Sequence, residues 1–337
     1  MKRLIYIFTL TLVLVACGTR RGYFSLEGRL LNLNQGEFYV YSPDGVFDGV
    51  DTIKVEGGRF AFETPCKESG TIMIVFPNFS EQPVFAEPGK NVTIKGDASH
   101  LKEIEIEGTD ENKLMNGFRQ QISKASPPEV LKYAEQFVIN NPESAVSVYI
   151  LRKYFVNPNV ANADNNLDKA EELVATVYKA QPKNGYVARM SRYIKGAKNS
   201  LIGAKLPHFT ATDIDGEAVS DAKLRGRVSV VFTWGNWNYE SRSLRDRLIR
   251  LKDDYGDKFA LLGVSLDAGK ADCKRSLRND STSTIIVCDQ MMFDSPLIDV
   301  FGFGGVGENI LYNAQGRVIE RNMKPEDIET KLKTLLN

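Results

Sequence analysis

Short runs of alternating apolar and polar residues fill the stretch 23–107. Phe24-Ser-Leu-Glu-Gly, Phe38-Tyr-Val-Tyr, Thr52-Ile-Lys-Val, Arg59-Phe-Ala-Phe-Glu, Thr71-Ile-Met-Ile-Val-Phe and Asn91-Val-Thr-Ile-Lys-Gly each read as a strand. Turn residues such as Gly57-Gly58 and Pro88-Gly89 separate them. Six or more short strands at close spacing predict a β-sandwich over 22–109. Phe38, Tyr39 and Tyr41 read as sandwich core with an amphipathic rim, a ligand groove being the alternative.

The period changes at about residue 110. Apolar residues recur at three- and four-residue spacing over 112–122, 127–140, 144–154, 167–180 and 186–198. Ser126-Pro127-Pro128-Glu129, Asn141-Pro142-Glu143 and Asn166-Leu167-Asp168 are helix-start signals. The lengths are uneven and no motif recurs, so 110–200 reads as a helical connector rather than a repeat array. It is expected to pack as a spacer, with a partner-docking surface as the functional alternative.

From 201 onward strands and helices alternate. Val228-Ser-Val-Val-Phe-Thr is a buried strand, and a helix follows with Leu244, Leu248 and Leu251 on one face. Phe259-Ala-Leu-Leu-Gly-Val-Ser-Leu is a continuous apolar run suited to a parallel strand. A helix at 270–278, a third strand at 284–289, a short helix at 296–301, a terminal hairpin turning at Asn313-Ala-Gln-Gly316 and a closing helix at 325–336 complete an α/β domain. The fold class expected for the whole chain is therefore multidomain α+β.

The link between the first strand of that domain and its helix reads Trp234-Gly235-Asn236-Trp237-Asn238-Tyr239-Glu240-Ser241. With the entry Ile202-Gly-Ala-Lys-Leu-Pro-His-Phe209, it resembles the thioredoxin superfamily, in the membrane-tethered branch related to TlpA, ResA and the AhpC-TSA proteins. The resemblance follows the whole element order of 201–337 and implies a thioredoxin-like fold. In that family a Cys-x-x-Cys pair opens the helix, where the helix dipole lowers a thiol pKa. Here Asn238 and Ser241 stand in the two cysteine positions, and neither can exchange with a disulfide. Relatives place a cis-proline before the hairpin strand; this chain has Gly305-Val306-Gly307-Glu308, with Gly307 in that place and a trans bond expected before it. No cysteine follows Thr233 at peroxidase spacing, which excludes a peroxiredoxin. Over 22–109, the order of Gly28, the 51–62 hairpin, Glu87-Pro88-Gly89 and Gly108 resembles the domain of unknown function DUF4369, which precedes thioredoxin-like domains in many Bacteroidetes lipoproteins.

The N-terminus adds an address. Lys2 and Arg3 precede an apolar run too short to span a bilayer, which ends Leu14-Val15-Ala16-Cys17-Gly18. This resembles a bacterial lipobox: 1–17 is expected to be a lipoprotein signal peptide, with Cys17 acylated by palmitate-type chains that anchor the protein without a membrane-spanning helix. No acidic run follows Cys17, which by the same resemblance favours the outer membrane facing the periplasm over the cell surface.

Composition narrows the chemistry. Lys plus Arg and Asp plus Glu balance at 43 each, so no nucleic-acid partner is expected. After Cys17, Cys66, Cys273 and Cys288 remain, an odd set that is not a disulfide framework. Cys273 and Cys288 are candidates for a relocated dithiol, against a reading of both as buried packing residues; Cys66 reads as structural. Only two histidines, His100 and His208, are present, with no zinc spacing, and no metal or cofactor is expected. Asn238 is either a helix N-cap or, with Glu240, Ser241 and Arg242, part of a polar site at a helix N-terminus. The expected function is non-catalytic binding of a protein, peptide or envelope ligand at Trp234, Trp237, Asn238, Tyr239, Ser241 and the Gly307 loop. The alternative is a thiol-disulfide oxidoreductase of the TlpA/ResA type working through Cys273 and Cys288.

Overall fold

The computed structural model of the chain describes residues 21–156, 166–277 and 284–336. Cys17 and the leader before it lie outside these residues. The chain divides into two compact units, 1–157 with 173–187 and 158–172 with 188–337. The boundary between the two units falls within the stretch 110–200. Among the described residues no helix is long and apolar enough to cross a membrane.

The first unit contains eight strands: β1 (Tyr23–Leu31), β2 (Gln35–Tyr41), β3 (Val50–Glu56), β4 (Arg59–Pro65), β5 (Gly70–Val75), β6 (Glu81–Ala86), β7 (Asn91–Asp97) and β8 (Glu105–Glu107). They form one sheet in the order β6-β5-β2-β3-β4-β1-β7-β8. Neighbours run antiparallel except β1 and β7, which are parallel. The inward alternation gives a single core from Phe24, Leu26, Phe38, Ile53, Ile72, Val84, Val92 and Ile106, drawn from seven of the strands, with Phe60 of β4 stacked edge-on against Phe38. The expected sandwich is therefore one sheet folded over its own apolar face. The sequence pattern does not reveal β6, which carries Pro83. At the sheet's edge a proline costs no ladder hydrogen bond.

The two edges of this sheet are closed by a helix. Helix α1 (Asp110–Ile122) begins at Thr109, whose side chain accepts from the Asn112 N–H. The fully buried Asn112 accepts from the Phe85 N–H of β6 at 3.0 Å and donates to the Phe85 carbonyl at 2.9 Å. One turn later Asn116 makes the mirror pair with Ile106 of β8, accepting from its N–H at 3.3 Å and donating to its carbonyl at 2.8 Å. Residues four apart share a helix face, so two carboxamides stand in for strand backbone on both open edges and satisfy groups that would otherwise be buried unpaired. Gln82 of β6 also donates to the Leu101 carbonyl just before β8. Helices α2 (Pro127–Asn140) and α3 (Ala145–Tyr154) follow; Ser126 and Glu129 form a capping box at the start of α2.

Helices α4 (Asn166–Ala180) and α5 (Gly185–Asn199) lead into the second unit. A short hairpin, β9 (Thr210–Thr212) and β10 (Ala218–Ser220), precedes a five-stranded sheet in the order β13-β12-β11-β14-β15. Strands β11 (Val228–Trp234), β12 (Phe259–Ser265) and β13 (Ile285–Val287) are parallel. Strands β14 (Asn309–Tyr312) and β15 (Val318–Arg321) are antiparallel to their neighbours. Helices α6 (Tyr239–Tyr255) and α7 (Lys270–Ser276) connect the parallel strands, α8 (Pro296–Phe301) precedes β14, and α9 (Pro325–Leu336) closes the chain. Alternation along β11 splits the core into two layers. Val230, Phe232 and Trp234 meet Leu244 and Leu248 of α6, Cys273 of α7 and Ile328 and Leu332 of α9. Val231 meets Leu297, Ile298 and Phe301 of α8 on the opposite face. A strand buried on both faces reads as an unbroken apolar run, which is why this part of the sequence was legible. The element order is the one expected, and the C-terminal domain is an α/β domain.

Candidate functional site

The parallel strands end together at one edge of the sheet, where the chain turns outward. At the end of β11, Gly235 to Asn238 form the link to α6. Asn238 is the N-cap, accepting from the Ser241 N–H at 2.8 Å. The Ser241 hydroxyl is buried; it accepts from the Gly235 N–H at 3.2 Å and lies 3.1 Å from the Asn238 carbonyl. The two residues that stand where the resemblance places cysteines are thus both engaged in holding the turn.

Gly307 meets this turn from the other side. A Cβ built on it would lie 3.6 Å from the Ser241 Cβ. Its N–H donates to the Thr233 carbonyl at 3.1 Å, while the Thr233 hydroxyl donates to the Gly305 carbonyl at 2.9 Å and accepts from the Glu308 N–H at 3.1 Å. No cis peptide occurs among the described residues, and Gly307 has φ +84°. Proline is held near −65°, so this loop does not carry a proline-shaped backbone with the ring removed. It has been rebuilt around glycine. Gly307, distant in sequence, is thus brought against the turn that Asn238 and Ser241 hold.

Two residues of the expected binding surface do not belong to it. Trp234 and Ser241 are buried, the first because its position on β11 faces α6, the second because its hydroxyl is spent on the turn. Trp234 lies beneath the Arg245 guanidinium, 4.3 Å from ring centroid to Cζ. They support the surface from below. Trp237 and Tyr239 are exposed, at 57% and 77%. The indole of Trp237 folds over Gly235: a Cβ there would approach its Nε1 to 2.7 Å. Arg242 stacks on Tyr239 at 5.9 Å.

Three groups of residues escaped the sequence reading. Asn236 donates through its N–H to Asp267 Oδ1 at 2.8 Å and through Nδ2 to Asp267 Oδ2 at 3.0 Å, and also to the Asp272 carbonyl at 3.2 Å. Asp267 is buried beyond the end of β12 and also accepts from the Ser265 hydroxyl. Beyond β13, Met291, Met292 and Phe293 are all exposed on a loop in which Gln290 and Met292 hold positive φ. Three successive apolar residues after Asp289-Gln290 were the only available signal. Next to Gly307, the carboxyl of Glu308 is pushed above the usual range by burial, against the pull of Arg321 and of the N–H groups of Gly304 and Gly305. His208 lies on Asp221 at 2.7 Å, away from this turn, and no cluster suited to a metal ion occurs among the described residues.

Comparisons with known proteins separate the two halves of the chain. Residues 24–115 match the family model of DUF4369, a domain of unknown function. The match reaches past β8 into the first part of α1 and takes in Asn112, while Asn116 lies just beyond it. A search of curated proteins gives no match. Solved structures resemble the C-terminal part. A thiol-disulfide oxidoreductase from Bacteroides fragilis is 27% identical, over 39% of this chain and 99% of that one, with a TM-score of 0.35. A thiol:disulfide interchange protein from Bacteroides sp. is 20% identical over 41% of this chain and 91% of that one, at 0.35. A thioredoxin family protein from Chlorobium tepidum, also a thiol:disulfide interchange protein, is 18% identical over 41% and 99%, at 0.35. Likenesses of this extent carry no activity over to this chain.

Proposed function

We propose that the chain is an envelope lipoprotein, anchored through Cys17 in the outer membrane and facing the periplasm. Its thioredoxin-like domain binds an apolar stretch of extended polypeptide without thiol exchange at the family position. The observation that carries this reading is the joint state of three neighbours. Asn238 and Ser241 are consumed in the turn, while Trp237 beside them is left largely in solvent. Exposed aromatic side chains cost free energy in water and provide large contact area with few rotors. Trp237 and Tyr239, with Asn238 at the helix N-terminus and the Gly307 loop opposite, offer an apolar rim over polar backbone, which suits a peptide's alternating side chains and amides.

The test uses intact protein and a reduced, alkylated, unfolded polypeptide immobilised on a sensor surface. Aromatic anchors at interfaces cost about 2 kcal/mol on truncation, so Trp237→Ala and Tyr239→Ala should each weaken binding roughly thirtyfold. Binding unchanged in both variants contradicts the reading. Labelled palmitate incorporated into wild type and lost in Cys17→Ser tests the anchor.

A further inference from the structure

The described cysteines, Cys66, Cys273 and Cys288, are all buried, so the side chains that can meet a partner lie elsewhere. In the second unit, exposed positive charge gathers at the end of the sheet opposite the Trp237 turn. Tyr312 pairs with Ser229 at the start of β11, which places the turn after β14 and Arg317 at that end. Lys205 forms an antiparallel bridge with Arg317, and directly opposite residues send their side chains to one face. The Arg317 guanidinium also donates to the Gly203 carbonyl at 2.9 Å. Further along the same segment, His208 Nδ1 lies 2.7 Å from Asp221 Oδ1, and Arg225 pairs with the other oxygen of that carboxylate. Asp221 is buried, while Lys205, His208, Lys223, Arg225 and Arg317 are exposed. Among the described residues no acid pairs with Lys205, Lys223 or Arg317. Like charges directly opposite in a ladder are destabilising, so the fold itself gains nothing from setting Lys205 against Arg317. In a chain of zero formal net charge, this end carries four Lys and Arg side chains against the carboxylate of Asp221.

Ile202 stands beside these cations. Leu201 to Ala204 form a tight turn, closed by the Ala204 N–H donating to the Leu201 carbonyl at 2.9 Å. Gly203 supplies the positive φ, +86°, that a type II turn requires at its third position. Ile202 is therefore held at the tip, 73% exposed, next to the carbonyl that Arg317 binds. An apolar tip flanked by cations matches the boundary of a bilayer, where anionic phosphates lie above hydrocarbon. A dissolved polyanion would match the cations and leave the isoleucine in water. We propose that this end of the second unit rests on an anionic bilayer surface, with Lys205, Lys223, Arg225 and Arg317 against lipid phosphates and Ile202 entering the headgroup–acyl boundary. Strand β11 has seven residues, a length of roughly 20 Å, so the Trp237 turn at its far end is held clear of the membrane. The contact depends on neither the peptide reading nor the Cys17 anchor: the face is complete without acyl chains.

The experiment uses the chain from Gly18 onward, which keeps every described residue and lacks the leader and Cys17. It is floated with vesicles of phosphatidylcholine alone or mixed with phosphatidylglycerol, at low and high salt, and titrated in parallel with inorganic polyphosphate. The expected result is binding to the anionic vesicles only, falling as salt rises. Lys205→Gln and Arg317→Gln should each weaken that binding roughly fivefold; two separate variants guard against one failing to fold. Ile202→Ser should weaken vesicle binding and leave polyphosphate titrations unaltered. Lys54→Gln and Arg59→Gln, exposed on the first unit, should change nothing. Absence of binding, equal binding to neutral and anionic vesicles, or equal losses in the first-unit variants overturns the proposal. Polyphosphate binding together with vesicle binding indifferent to Ile202→Ser also overturns it, and assigns the face to a dissolved polyanion.

Discussion

Replacing Asn112 by alanine should open the seam between β6 and β8. The side chain is fully buried and makes three hydrogen bonds, two to Phe85 backbone and one of 2.7 Å to the Thr109 hydroxyl. The Phe85 carbonyl retains the Thr109 hydroxyl at 3.2 Å, but the Phe85 N–H loses its partner inside the protein. Loss of two net hydrogen bonds at about 1 kcal/mol each, with a further ~1–2 kcal/mol for the orphaned donor, gives roughly 3–4 kcal/mol. For a unit of this size that lowers the melting temperature by roughly 6–15 °C. Asn116 bonds Ile106 in the same way but is only half-buried, and water replaces its partners, so Asn116→Ala should cost about 1 kcal/mol. Differential scanning calorimetry of both variants beside wild type measures the difference. An Asn112→Ala cost below that of Asn116→Ala would refute the edge-closing role.

Asn238→Ala should cost about 1 kcal/mol through the lost cap, and Asn238→Asp almost nothing; equal losses in urea titrations would contradict the capping role. Gly307→Pro should destabilise by more than Gly307→Ala, at least about 3 kcal/mol against ~1 kcal/mol, because φ +84° is closed to proline and only strained for alanine. Recovery of stability by the proline variant would contradict the rebuilt loop. Glu308 has its folded pKa above the unfolded one, chiefly through burial. Its contribution to stability is therefore full at pH values below the unfolded pKa and is lost as pH rises through the folded one. Glu308→Gln should flatten the melting temperature against pH from the ordinary carboxylate range upward, and an unaltered slope would contradict the assignment. Gly235→Ala should displace Trp237, whose ring occupies the Cβ position, and red-shift or blue-shift its emission without unfolding the domain; an unchanged spectrum would mean that the indole does not rest on Gly235.

Much of this fold was legible in the sequence because burial on both faces writes continuous apolar runs, as in Val228–Trp234 and Phe259–Ser265. Helix-start residues were legible for the same local reason: Ser126 and Asn238 cap the turns that follow them. What escaped depends on partners distant in sequence. Pro83 hides β6 until its place at the sheet's edge is known, and nothing local marks Asn112 and Asn116 as substitutes for strand backbone. At the site, Asn238, Ser241 and Gly307 could be picked out by their departure from a family pattern, but the burial of Trp234 and Ser241 follows from α6 packing on β11. Asn236 and Asp267 are ordinary polar residues in sequence; only the parallel order of β11, β12 and β13 brings their loops together.

The central claim is that the turn from Trp234 to Ser241 recognises polypeptide. The most direct measurement is a titration of the intact chain with a tryptophan-free, reduced and alkylated unfolded polypeptide, followed by tryptophan emission, beside Trp237→Phe. The account predicts a saturable shift in wild type that is absent from the variant. Emission that never moves, or that moves equally in both, would contradict it.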